Sequence, residues 1–395
     1  MDKSRWADAL FYSGWTLFFA GIPFIGWSSL GLLLLFMEWA AGYRRRRKPE
    51  LDPPPLYQAA VWGLIAAFFL SSVFAASRYD AFGTSVGYAL AHLFGLSYAY
   101  RVERERPGAF LRSLWIAPLA GAAHAALGLY QIATGARRAV GVHENPNAFG
   151  TAMLFALFLG ILALASAKGR VRWLVWPYTV LVCGGLLASG SRGSWLGAAA
   201  GVVVFAVLYA VMHREGLRRR AVKVAAVVVM ATLAVGLAVA AWGNDYLQRR
   251  FDSMFTLDRN QDRVVLYRTV WNMFKAYPLL GVGPNNIKHH YDDFVVVQGR
   301  YQHHGMAHNL FLQALSETGV IGTAFLVLLL GCWFVLGFPR AGSPAHLGLY
   351  ALLAALVVRD QFDGASVNLN ILFFMTWLGA TLIAYGWRGA QAKES

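Results

Sequence analysis

Charge is scarce in this sequence: Asp, Glu, Lys and Arg make up 14% of the 395 residues, against roughly 25% in ordinary soluble domains. So few charges exclude a conventional water-facing surface, and the 57% of hydrophobic residues suits lipid as solvent. Cysteine is scarcer still. Cys183 and Cys332 stand in separate apolar runs without CxxC spacing, which argues against a disulfide framework or a cysteine metal site and leaves both as small core residues. Lys3 and Arg5 precede an apolar region with no A-x-A cleavage site after it, so this first span is expected to stay in the mature protein. The formal charge of +15 raises nucleic acid as a partner. The basic residues nevertheless sit in short clusters between apolar runs, as the positive-inside rule requires, and no nucleic acid is expected.

What the chain has in abundance is long apolar runs. Residues 9–42 would measure roughly 50 Å as one helix, too long for a hydrocarbon core of about 30 Å. Gly21, Pro23 and Gly26 offer a turn in the middle, which predicts a tight hairpin. Further spans are predicted near 57–76, 86–101, 109–133, 148–167, 173–189, 194–213, 222–242, 309–338, 345–358 and 368–386. The expected fold is therefore an all-α polytopic transmembrane bundle of about 12 spans, a single integral membrane domain over residues 1–395. With both termini cytoplasmic, the inner segments hold 22 of the 35 Lys and Arg residues, including the 44–48 cluster. That asymmetry sets the orientation in a bacterial inner membrane.

One segment, 243–308, is too polar to span and becomes a long external loop. Val264, Tyr267, Val270, Trp271, Phe274 and Tyr277 recur at helical spacing within it, predicting a short amphipathic helix in the membrane interface, ended by Pro278. No internal repeat points to inverted halves. Three outer segments then gather the polar residues: 141–147, the Ser-Gly-Ser-Arg-Gly-Ser turn at 189–194, and the end of the long loop at Ala307, His308 and Asn309. Arg192, between two apolar runs, reads equally as a functional cation or as an interfacial arginine snorkelling to lipid phosphates. His304 and His308, four apart, offer a zinc alternative without an HExxH pattern or a specified third ligand. Glu317 reads as a structural hydrogen-bond partner within the bundle, and Asp360 and Asp363, beside Arg359, as local ion pairs.

The run from Arg263 to Asn286 (RVVLYRTVWNMFKAYPLLGVGPNN) and the run from Ala307 to Gly322 (AHNLFLQALSETGVIG) closely resemble the signature of the O-antigen ligase and polymerase superfamily. The Ser-Arg-Gly-Ser-Trp turn at 191–195 and the His-Glu-Asn-Pro-Asn stretch at 143–147 resemble its two other recurrent sites. The resemblance implies a membrane glycosyltransferase, GT-C-like and inverting, taking a glycan from undecaprenyl diphosphate in the manner of lipopolysaccharide assembly. It implies diphosphate binding by Arg192 and Arg263, catalysis by His308 and no metal or other cofactor. His143, Asn145, Arg268 and Asn309 are supporting candidates. Tyr267 stands where relatives often have Trp, which keeps an aromatic platform.

The residue types suit those roles on their own chemistry. Arginine neutralises a diphosphate bidentately and never loses its proton. Histidine, with an unperturbed pKa near 6.5, can take a proton from an attacking hydroxyl around neutral pH. The acceptor stays open: a glycolipid, a growing glycan in a polymerase of lipid-linked repeat units, or a protein in an O-oligosaccharyltransferase. From another class, a secondary anion or sugar transporter would also suit a basic bundle, although transporters usually place their binding groups near the midplane.

Overall fold

The computed structural model describes residues 3–22, 26–42, 52–212, 249, 261–297, 305–339, 343–364 and 367–394. The predicted 222–242 span lies outside the described residues, as do residues 250–260 of the long loop and its histidines His303 and His304. Among the described residues every element is helical: α1 (Lys3–Gly21), α2 (Gly26–Gly42), α3 (Pro55–Val73), α4 (Arg78–Glu105), α5 (Ala109–Ser113), α6 (Ala117–Ala133), α7 (Pro146–Phe155), α8 (Ile161–Ala165), α9 (Val175–Ala188), α10 (Arg192–Met212), α11 (Gln261–Ala276), α12 (Ile287–Phe294), α13 (Leu310–Val335), α14 (Pro344–Arg359) and α15 (Leu369–Glu394). Seven helical runs among them are long and apolar enough to cross a membrane, and Gly26–Ala41 and Pro344–Arg359 are apolar but shorter. Of the predicted spans, α4 falls short in apolar character: it is rich in Gly, Ser, Tyr and His and carries Arg101, Glu103, Arg104 and Glu105 in its last turns.

Those charges have a structural use. Arg101 is buried, and its guanidinium lies 2.9 Å from the buried Glu38 carboxylate and 2.7 Å from the Trp39 carbonyl of α2. Arg106 reaches Glu38 at 3.4 Å and Asp8 at 3.3 Å, so one end of the α1–α2 hairpin is fastened to the end of α4. Above this network the aromatic side chains form the core. Trp15 packs on Trp377 at 4.7 Å between ring centroids, Phe110 on Trp377 at 4.1 Å and Phe94 on Phe373 at 4.8 Å, joining α1, α4, α5 and α15.

The opposite end holds the polar turns. Helix α13 is broken at Gly319, whose φ of 64° and ψ of −164° suit glycine alone. Residues 278–283 repair the break: Val282 and Gly283 donate to the Ser316 and Glu317 carbonyls at 2.8 and 2.9 Å, and Val320 donates to the Pro278 carbonyl at 2.8 Å. The Ser71 hydroxyl, from α3, donates to the Glu317 carbonyl at 2.6 Å and also meets the Leu280 carbonyl. The Glu317 carboxylate accepts from the Asn285 N–H at 2.8 Å, the structural role expected of it.

Helix α11 forms where the sequence places it, and the structure adds a protein-facing side to it. Leu266, Val270 and Met273 pack with Val282, Ile287 and Tyr291 into a second small core, whereas Val264 and Trp271 are exposed. Both faces of the helix carry apolar residues, and the one turned to α12 and the 278–283 segment wins the burial.

A methyl group at Gly319 would run into the backbone of Leu279 and Leu280, whereas one at Gly331, in the same helix, would meet nothing. Gly319→Ala is expected to destabilise by at least the ~1–3 kcal/mol of a forced backbone conformation. Gly331→Ala should be neutral or gain up to about 1 kcal/mol. Thermal unfolding of the detergent-solubilised protein, followed by loss of the monodisperse peak, checks the contrast.

Candidate functional site

His308 lies two residues before α13 and has a φ of +52°, a costly left-handed conformation for a residue with a β-carbon. Asn309 behind it is extended and caps the helix, accepting from the N–H groups of Phe311 and Leu312 at 3.1 and 3.0 Å. Its amide also donates to the Gln361 carbonyl at 3.1 Å, and the Leu310 N–H donates to the Asp360 carbonyl at 3.0 Å. These bonds hold the start of α13 against the turn that ends α14.

That turn supplies a partner for the imidazole. His308 Nδ1 lies 3.0 Å from Asp363 Oδ1. The buried Arg359 guanidinium grips the other carboxylate oxygen at 2.9 Å and Asp360 at 3.1 Å. Burial alone would raise the Asp363 carboxyl. The His308 hydrogen bond and the Arg359, His308 and Arg263 charges outweigh it and hold the group at about 2. An ionised Asp363 calls for the proton on Nδ1, which puts the neutral ring's lone pair on Nε2. The pair is therefore arranged as a base with its orienting carboxylate.

Arg263 is linked to the same turn, and the residue after Arg192 packs against it. Arg263, in the first turns of α11, has Nη1 3.5 Å from the Tyr267 hydroxyl, which is itself 3.5 Å from the Gln361 carbonyl. Among the described residues no carboxylate lies within ion-pair distance of Arg263. Arg192 opens α10, and the next residue, Gly193, is pressed so closely on Phe362 and the Arg359 carbonyl that a β-carbon there would lie 2.9 Å from the Phe362 side chain.

The remaining candidates have other surroundings. Asn145 caps α7 through the Ala148 N–H at 2.9 Å. His143 is buried, and burial together with the His124 ring, 5.6 Å away, pushes it down to about 4. Arg138 donates to the Ser189 carbonyl and to Asn147, both at 2.8 Å, tying this loop to the Arg192 turn. Arg268 is exposed, ~140° around α11 from Arg263. Among the described residues no group of three or more His, Cys, Asp or Glu is placed to hold a metal. Beside the site, a narrow cavity runs between α3, α4, α13 and α15 from Leu310 and Val367 to Trp333, with a mainly apolar lining.

The stretch that carries both arginines, the histidine and the broken helix is the one that matches a known family model. Residues 177–327 match the O-antigen ligase family. The match supports a membrane glycosyltransferase of ligase or polymerase type. No curated protein matches the chain. The matched segment ends before Arg359, Asp360 and Asp363, which the sequence presents only as local ion pairs. The i,i+4 spacing of Arg359 and Asp363 at the end of an apolar run is the available signal, but nothing in it points to His308.

Because Arg359 also keeps Asp360, Asp363→Asn should cost less than the ~3–5 kcal/mol of stripping a buried charge of its partner. The double change Asp360→Asn/Asp363→Asn should reach that range. With a depressed folded-state pKa, Asp363 contributes stability that is present above the unfolded value near 3.9 and is lost as pH falls through about 2. Melting temperatures of the three proteins at neutral pH check the order.

Proposed function

We propose that this chain transfers a glycan from undecaprenyl diphosphate to an acceptor hydroxyl at the outer face of a bacterial inner membrane, with both termini in the cytoplasm. The observation that carries the reading is the His308–Asp363 pair, with the Arg263 charge acting on the same carboxylate, inside and beside the matched segment.

In this reading the acceptor oxygen attacks the anomeric carbon as its proton passes to Nε2 of His308. The bond from that carbon to the diphosphate oxygen breaks, and the lipid diphosphate leaves with the bonding pair. Arg192 and Arg263 hold the growing negative charge, where a planar donor fork fits two phosphate oxygens. Attack from the face opposite the leaving group inverts the anomeric centre. The carboxylate keeps the imidazole in the useful tautomer and stabilises the imidazolium. The apolar cavity next to Leu310 suits the first isoprene units of the donor, with its diphosphate toward the arginines.

The test is transfer from undecaprenyl-diphosphate glycan by the purified protein, with glycolipid, lipid-linked glycan and protein acceptors in separate arms. Product in one arm identifies the acceptor class, and no product in any arm overturns the reading. His308→Ala should lose on the order of 10²–10⁴ in rate while donor binding persists. Arg192→Lys and Arg263→Lys keep the charge and lose the fork, so both should weaken donor affinity and slow transfer. The rate should fall as pH is lowered, since an imidazolium cannot accept the proton. Wild-type rates in His308→Ala would remove it as the base.

A further inference from the structure

Helix α11 has two faces, and the fold uses only one of them. At 100° per residue, Leu266, Val270 and Met273 point into the small core, while Val264, Arg268, Trp271 and Lys275 form a stripe on the far side within ~60° of one another. All four are exposed; Val264 is 39% and Trp271 45% accessible. The stripe alternates apolar and cationic side chains and holds no acid. A wholly water-facing helix has no reason to expose a tryptophan and a valine between its cations, and a wholly lipid-facing one cannot keep the cations.

The position of the helix says which surface the stripe meets. The chain leaving α11 at Pro278 and Leu279 is bonded to Val320 and Ile321, the first residues of α13 beyond its break. From there α13 runs apolar to Val335. Leu279 is 62%, Val320 48% and Ile321 36% exposed, so the end of α11 joins the lipid-facing flank of a membrane-crossing helix. The other end, at Arg263, belongs to the turn-side site above the hydrocarbon. A helix fixed at both points runs along the boundary between the apolar core and water.

We propose that the Val264–Arg268–Trp271–Lys275 face of α11 docks on the headgroups of anionic phospholipids in the adjoining leaflet. Trp271 and Val264 enter the upper acyl region, and Arg268 and Lys275 pair with lipid phosphates. The contact supports the outer side of the helix whose inner side presents Arg263 and Tyr267. It makes the bilayer part of the scaffold on which that arginine is held.

The test uses the full chain in vesicles and reads lipid contact without glycan transfer, so its outcome is separate from that of the proposed activity. Cys183 and Cys332 are buried, so a single environment-sensitive fluorophore can be placed on Trp271→Cys, and on Asp292→Cys of α12 as an exposed control. In phosphatidylglycerol vesicles carrying a quencher near the headgroup, the probe at 271 should be strongly quenched and that at 292 should not. Adding Arg268→Glu and Lys275→Glu to the Trp271→Cys protein should remove more than half of that quenching. Equal quenching at 271 and 292 would overturn the proposal, as would quenching at 271 that is unchanged by the double charge reversal.

Discussion

Helix α13 is broken at Gly319, and the repair of that break organises everything around it. Gly319 turns the backbone out of the helix and strands carbonyls and N–H groups, which in or near hydrocarbon cost several kcal/mol each if left unpaired. The 278–283 segment supplies the missing partners, with the Ser71 hydroxyl adding a third chain segment. Glu317 spends its carboxylate on the Asn285 N–H. This backbone stitching fixes the end of α11 to the first turns of α13, so Arg263 and His308, far apart in sequence, face the same turn.

That turn is itself held by charge. A buried guanidinium, Arg359, is divided between two aspartates, one of which also orients His308. The arrangement keeps Asp363 ionised where burial would otherwise neutralise it. It also ties the conformation of the imidazole to the end of α14, against which α10 and its Arg192 turn are packed. Backbone repair and a shared carboxylate thus bring three helix ends into one polar site at the end of an apolar bundle.

Much of this was legible in the sequence, and the reasons differ from element to element. The apolar runs marked most of the long helices to within a few residues, because in lipid the length of a run and its flanking charges carry the signal; α4 starts eight residues before its predicted span and α15 ends eight residues after its own, where polar residues extend each helix. The α1–α2 hairpin followed from a run too long for one crossing. Arg192, Arg263 and His308 stand in the motifs that carry the family resemblance, so the sequence alone nominates them. The pairing of His308 with Asp363 has no such motif, because it joins residues on either side of two apolar helices and no local pattern records it. The small core that α11 makes with Leu266, Val270 and Met273 has no signature in the sequence, because both faces carry apolar residues and only tertiary packing chooses between them. The α13 break was also invisible: Gly319 inside an apolar helix looks like any tolerated glycine until the segment that fills the gap is in view.

The central claim is that Arg192, Arg263 and His308 surround one lipid diphosphate at the end of the bundle. The most direct measurement is an experimental structure of the His308→Ala protein in lipid with an undecaprenyl-diphosphate glycan bound. The expected result places the diphosphate against the Arg192 and Arg263 guanidinium groups, the anomeric carbon toward position 308 and the first isoprene units along Leu64, Phe68 and Leu310. A diphosphate bound away from both arginines, or at the opposite end near Arg101 and Arg106, would contradict it.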